Sequence, residues 1–299
     1  MTSDVTSQNH GPVDSPPSTV PLAILELVRI ASMGGGRGIS LGAQPRGSLG
    51  GAGKPFEIFA KNMFAGCLGA LPSNVDAAWK RTFSWLGSLN APPDFMIWNG
   101  DAVEVKQQGG VGQIALNSSP PKQKLKVDDP RIEEACRTCE NWVEKDFLYF
   151  IGKTNPEFVE ALWLIDGRCM ADSADVYDLI FGNLSVTVSS LGGQPTNELG
   201  RFNRVDALKS TSLRIRAMWS IEHPATTFKE LLAPPKSGHF VLNVLDSAKK
   251  WDAYPVEQTA SVQQLSDVGV SVKRVSIADA SSSGQTHDVV HTSWTLKLE

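Results

Sequence analysis

The sequence predicts a mixed α/β fold of the α+β kind, a mixed central sheet flanked by helices. Three observations predict it. The first third carries apolar residues at helical spacing. Later runs such as "DFLYFIG" (146–152) and "ALWLIDG" (161–167) are short, apolar and bounded by turn residues, as buried strands are. Between them, "PPDFMIWNGDAVEVKQQGG" (92–110) reads as a hairpin around Asn99-Gly100. Strands and helices interleaved in 299 residues, 41% hydrophobic and 20% charged, suit one domain with a sizeable core.

The elements follow in order. Residues 1–20, rich in Ser, Pro and Thr, read as a disordered tail, leaving 21–299 as a single folded domain. "PLAILELVRIAS" (21–32) has helical spacing, and the glycine-rich 33–54 breaks it as a long loop. In "PFEIFAKNMFAGCLGA" (55–70), Phe56, Phe59, Ala60, Met63, Phe64 and Cys67 share a helix face. A helix over 75–87 precedes the hairpin. A helix over 172–191 starts with capping residues but has a β-branched centre. Strands are predicted over 211–221 and 239–246, and 268–278 is predicted to pair with 289–298.

The net charge of −4 announces no nucleic-acid partner, although an acidic exterior can offset a basic cleft. Four cysteines are too few for a disulfide framework and fit a reducing cytoplasm. No stretch reaches the ~20 apolar residues of a membrane span. The amino terminus lacks the basic-then-apolar order of a signal peptide. A cytoplasmic protein without a membrane partner is therefore expected. Cys136 and Cys139 have half the spacing of a zinc site, but no second pair completes it, and helical spacing through Ile132, Ala135, Cys136, Cys139 and Trp142 favours buried thiols.

The hairpin's register follows from its alternation. Phe95 and Ile97 belong on the core face with Val103 and Val105, so the loop needs an odd number of residues. A three-residue loop, Trp98-Asn99-Gly100, pairs Ile97 with Asp101 and Asp94 with Glu104, and puts Gly100 where a left-handed residue is wanted. Two carboxylates opposed at ~5 Å repel unless a cation lies between them. Mg²⁺ is suited to that place, with Asp94 and Glu104 as oxygen ligands and the Val105 carbonyl as a third. Lys106, on the face of Glu104, would orient or help deprotonate a water, or stabilise charge on a phosphoryl transition state. Glu57, four residues before Lys61, is either a further acid from the preceding helix or a helix-surface ion pair. The same residues also fit an exposed strand with an ordinary ion pair.

Pro93-Asp94 followed by Glu104-Val105-Lys106 resembles the PD-(D/E)xK nuclease motif. "PPDFMIWNGDAVEVK", "IALNSSPPKQKL", "EEACRTCENWVEKD", "ELGRFNRVDAL" and "LRIRAMWSIEHP", in that order, resemble the NgoPII family of type II restriction endonucleases from about residue 20 to about 233. The resemblance implies a restriction-endonuclease-like core with the catalytic hairpin at 93–107. It also implies a Mg²⁺-dependent enzyme that cuts both strands of double-stranded DNA at a short palindrome, GGCC, beside a cognate DNA methyltransferase. A two-fold target favours a homodimer. A structure-specific or repair nuclease with the same hairpin, and a non-catalytic DNA-binding module, are the rival readings.

The region 197–222 concentrates Arg201, Asn203, Arg204, Lys209, Arg214 and Arg216 in an otherwise acidic chain. Arg214 and Arg216 share one strand face and suit bidentate reading of guanine, or form a solvated strand face that pairs with nearby acids. Arg201 and Arg204, in a turn before that strand, suit phosphate contacts, and Asn203 suits either. Ser118, Ser119, Lys122 and Lys124 in "NSSPPKQKLK" suit phosphate positioning, or form a polar surface loop.

Overall fold

A computed structural model of the chain describes residues 17–34, 38–41, 55–89 and 91–299. Helix α1 (Val20–Met33) starts at Thr19, whose hydroxyl accepts the Leu22 N–H at 3.3 Å, with Pro21 in the first turn. Residues 17–20, the last of the predicted tail, belong to the described structure, and the rest of that tail and most of the glycine-rich loop lie outside the described residues. β1 (Ile39–Ser40) is followed by α2 (Pro55–Phe64) and α3 (Pro72–Thr82). The predicted helix over 75–87 ends early, because Phe83 turns extended and starts β2 (Phe83–Trp85) along the hairpin.

The hairpin is β3 (Phe95–Ile97) and β4 (Ala102–Gln108). β5 (Ile114–Asn117), β6 (Lys124–Lys126) and the short α4 (Glu134–Thr138) lead to β7 (Glu144–Thr154) and β8 (Phe158–Asp166). Then come α5 (Ala174–Ser190), β9 (Gln194–Thr196), β10 (Leu199–Asn203) and β11 (Ser212–Arg216). The strand predicted over 211–221 is broken. β11 ends at Arg216, and β12 (Trp219–Ile221) leaves that sheet to pair with β5. The chain closes with α6 (Pro224–Thr227), β13 (His239–Ser247), α7 (Ala248–Ala253), α8 (Val256–Gln264), β14 (Ser271–Ala278) and β15 (Thr286–Lys297). The last two strands pair antiparallel, as their sequence predicts.

The main sheet runs β14-β15-β13-β8-β7-β4-β3-β2, with β1 on β8 and β6 on β7. β4 pairs parallel with β7, and β8 parallel with β13, while β7 and β8 are antiparallel. Both faces are covered. Phe95, Ile97, Val103, Leu148 and Phe150 face α1 and α2, while Met96, Ala102, Tyr149 and Trp163 face the opposite core with Ile114, Cys136 and Ile221. This explains why β7 and β8 read as unbroken apolar runs rather than as alternating strands. Gly152 lets α2 sit down on the sheet, since a Cβ there would lie 1.9 Å from the Phe56 ring.

Candidate functional site

The hairpin has the three-residue loop its alternation requires. Phe95 opposes Val103 and Met96 opposes Ala102, so the same register sets Ile97 against Asp101 and Asp94 against Glu104. The Ile97 N–H bonds the Asp101 carbonyl at 2.9 Å, and the Asp94 N–H bonds the Val103 carbonyl at 3.0 Å. The left-handed residue is Asn99, at φ 51°, and not Gly100 as the sequence suggested. Asparagine tolerates that conformation through its short polar side chain.

Charges that local spacing did not reveal hold this turn. Lys145, buried in β7, donates to the carbonyls of Ile97 (2.8 Å) and Gly100 (3.0 Å) and pairs with Glu140 at 2.6 Å. Glu140 in turn accepts the Asn99 N–H at 3.0 Å and the Ser84 hydroxyl at 2.6 Å. On the other side, Lys250 of α7 meets Asp101 at 2.8 Å. The available signals were a lone Lys beside an apolar run and an Asp at a hairpin turn. Neither names its partner. Gly87, at φ 92°, packs on the Asp94 backbone, where a Cβ would lie 2.2 Å from the Asp94 carbonyl oxygen.

At the open end of the hairpin, Asp94 Oδ2 accepts the Val105 N–H at 2.6 Å. Lys106 Nζ lies 2.8 Å from Glu104 Oε1, both side chains being mostly buried. Glu104 Oε2 is buried with no hydrogen-bond partner. Burial pushes the Asp94 carboxyl up to about 7; Glu104 and, more weakly, Glu57 push the same way, against the Val105 N–H and Lys106. A carboxyl raised first by burial and then by a facing carboxylate, and an orphaned oxygen on that carboxylate, form a donor set that a hard dication would satisfy. Among the described residues no group of three His, Cys, Asp or Glu side chains gathers as a metal cage. The protein's oxygens here are two carboxylates and the neighbouring backbone. Mg²⁺ is commonly held by so few protein ligands.

The other predicted residues divide. Glu57 pairs with Lys61 at 2.6 Å, and Lys61 also donates to the Leu86 carbonyl at 2.8 Å. Glu57 is therefore an ion-pair partner that also bears electrostatically on Asp94. Ser119 lines a small cavity with Glu104, Leu116, Pro120, Phe147 and Tyr149, which brings its loop to the hairpin. The Lys122 N–H donates to the Tyr149 hydroxyl at 2.9 Å and ties that loop to the strand beneath Glu104. The Lys122 ammonium itself is turned inward, buried against Asp129 at 2.6 Å. Lys124 stays at the surface, paired with Glu144.

Arg201 is not in a turn. It lies in β10 directly opposite Arg214, as Asn203 lies opposite Ser212, so one face of the small sheet β11-β10-β9 collects Arg201, Asn203 and Arg214, with Arg216 two residues along. Arg214 and Arg216 both pair with Glu198, the latter at 2.9 Å. Arg204, at φ 57°, starts the connection between β10 and β11. Cys136 packs on Met96 in the core, Sγ to Sδ 3.8 Å.

The family model described as NgoPII restriction endonuclease matches residues 32–278. The type II restriction enzyme NgoPII of Neisseria gonorrhoeae is 32% identical over 231 residues, covering 76% of this chain and 82% of that protein. No solved structure matches.

Proposed function

The chain belongs to the NgoPII restriction endonuclease family and is a type II site-specific deoxyribonuclease, and on that premise we propose that it cuts both strands of duplex DNA at GGCC with Mg²⁺ held by Asp94 and Glu104. The observation that carries the catalytic assignment is the orphaned, buried Oε2 of Glu104 opposite Asp94, with Lys106 2.8 Å from the other oxygen. When bound, the ion supplies Lewis-acid stabilisation of the scissile phosphate and a water of lowered pKa. The chain's own residues do the rest. Asp94 and Glu104 would provide two oxygen ligands and the Val105 carbonyl a third. Lys106, paired with Glu104, orients the attacking water and places positive charge beside the phosphate. Glu57 tunes Asp94 from behind and holds Lys61.

GGCC is carried by the family resemblance and supported by the arginine face, since guanine presents the O6/N7 edge that arginine pairs bidentately. Ser118, Ser119 and Lys124 are assigned to phosphate positioning beside the hairpin. The functional unit is proposed as a homodimer. α5 supports this: Val176, Leu179, Ile180, Leu184 and Val186 are exposed on a face without charged residues, and Val188 is its one buried residue. A second copy about a two-fold axis would cover that face and set two arginine sheets against two half-sites. Among the described residues no helix is long and apolar enough to cross a membrane, and cytoplasmic action beside a cognate methyltransferase is proposed. The test is digestion of a sequenced plasmid with Mg²⁺, mapping every end. Cuts confined to GGCC are expected. Cuts at another fixed sequence would remove GGCC, and cuts at branches or ends would replace the reading with a structure-specific nuclease.

A further inference from the structure

We propose that Glu198 is a specificity-positioning residue: one carboxylate that holds Arg214 and Arg216 as a single fork and keeps the arginine face from binding DNA phosphates indiscriminately. The proposal rests on the reading above, in which this face meets DNA. The sequence allows Arg214 and Arg216 to pair with nearby acids, and of the three acids in 197–222 Glu198 is the one they meet.

Glu198 sits in the two-residue turn between β9 and β10, since Thr196 opposes Leu199. Its backbone is fixed on both sides. Its N–H donates to the Thr196 hydroxyl at 3.3 Å, and its carbonyl accepts the Ala217 N–H at 2.8 Å, extending the β10–β11 ladder by one step. The next residue, Leu199, is buried at φ 150°, a conformation L residues rarely adopt. The surrounding contacts therefore hold this turn where a relaxed chain would not stay, and strain of that kind collects at sites with a positional task.

The side chain reaches both guanidinium groups. Oε2 pairs with Arg214 and Oε1 with Arg216. The carboxylate is 21% exposed while the arginines are 60% and 49% exposed, so the acid lies beneath and the guanidinium groups lie over it. Arg201, opposite Arg214, has no ion pair among the described residues. Three cations and one anion thus share the face. Exposed pairs of this kind contribute little to stability. Their effect here is on where the guanidinium groups point and on the charge the face shows to a phosphate backbone.

Without the carboxylate, three unscreened arginines would gain affinity for any phosphate and lose their shared orientation. The two consequences have opposite signs, which a merely structural role would not produce. Glu198→Gln keeps the size and removes the charge; Glu198→Ala removes both. Affinity for cognate and single-mismatch duplexes, measured with Ca²⁺ in place of Mg²⁺ at several salt concentrations, reads both effects. The ratio of cognate to mismatched affinity is expected to fall about fivefold or more, the discrimination of one weak base contact. Mismatched affinity is expected to rise and its salt dependence to steepen by about one counterion. Glu198→Asp, one methylene shorter, should restore the charge and part of the ratio. An unchanged ratio would overturn the proposal, as would an equal loss of cognate and mismatched affinity. Arg214→Ala and Arg216→Ala in the same assay separate the failures. If they erode the ratio while Glu198→Gln does not, only Glu198 falls. If they too leave it unchanged, this face does not read bases and both readings fall.

Discussion

The Asp94–Glu104 hairpin and the arginine sheet are both antiparallel ladders, and they are held in opposite ways. Phe95, Met96, Ile97, Ala102 and Val103 of the hairpin are fully buried, with cores on both faces. Its turn is gripped by Lys145, Glu140 and, through Asp101, Lys250. β11 is mostly exposed, and the small sheet rests on one helix largely where Val188 meets Gly200. On the proposed reading the contrast has a use: hydrolysis is sensitive to sub-ångström misplacement, which suits carboxylates on a deeply buried strand pair. Base reading would need side chains that meet a partner and adjust to it, which suits arginines at the surface on a thin support.

The largest effect that would break this contrast is chemical. Asp94→Asn or Glu104→Gln is expected to abolish cleavage while sequence-specific binding in Ca²⁺ persists, and Lys106→Ala to slow single-turnover cleavage by about 10²–10³-fold. Near-normal cleavage by any one variant removes that residue from the site. A Lys106 variant that loses affinity but keeps its rate at saturating enzyme marks a phosphate clamp instead.

Next in size is the support itself. Lys145→Ala leaves Glu140 buried beside the turn without its cation, and loss of one partner of a buried pair costs ~3–5 kcal/mol. Urea unfolding should show that loss, while Arg204→Ala should stay within ~0.5 kcal/mol of the parent. If the two variants unfold alike, the hairpin is no more firmly held than the arginine sheet.

How far the sequence could be read follows the same division. The register of 93–107 was legible because period-2 alternation and an odd loop leave one solution, and the opposed acids then follow. The turn residue was misassigned, because glycine is the default for a left-handed position and Asn99 takes it instead. Lys145, Glu140 and Lys250 are not legible as clamps, since the turn residues they hold lie 41 to 149 residues away. Lys122 read as a surface cation because its neighbours are polar, yet Asp129 draws it inward. The break at Arg216 was hidden because β11 and β12 are both strand-like, and only pairing to different partners separates them.

A third measurement tests the clamp by pH. Burial raises the Asp246 carboxyl to about 7, with Asp166 and Asp101 pushing the same way and Lys250 opposing. Unfolded, the group titrates near 3.8. Between these values the folded state holds the extra proton, so stability is highest at the acid end and falls as pH rises through about 7. Asp246→Asn removes this contribution and should flatten the decline. Asp94, raised for the same reason, keeps part of the slope, so the readout is the difference between variant and parent. An identical slope would show that Asp246 does not titrate in that window.

The smallest expected effect is the one that sharpens the contrast most. Arg201 faces Arg214 across the ladder, whereas Arg204 lies beyond the strand end at φ 57°. By sequence alone the two were alike, both phosphate contacts before a strand. By register they differ. Arg201→Ala should therefore behave as Arg214→Ala and Arg216→Ala do, eroding discrimination against a wrong base by ~1–3 kcal/mol. Arg204→Ala should weaken cognate and mismatched duplexes alike and reduce the salt dependence by about one counterion. Affinities for both duplexes in Ca²⁺ at two salt concentrations decide it. If Arg201 follows Arg204, sharing a strand face is not enough to bring a guanidinium to a base edge, and the reading surface narrows to the two arginines that Glu198 holds.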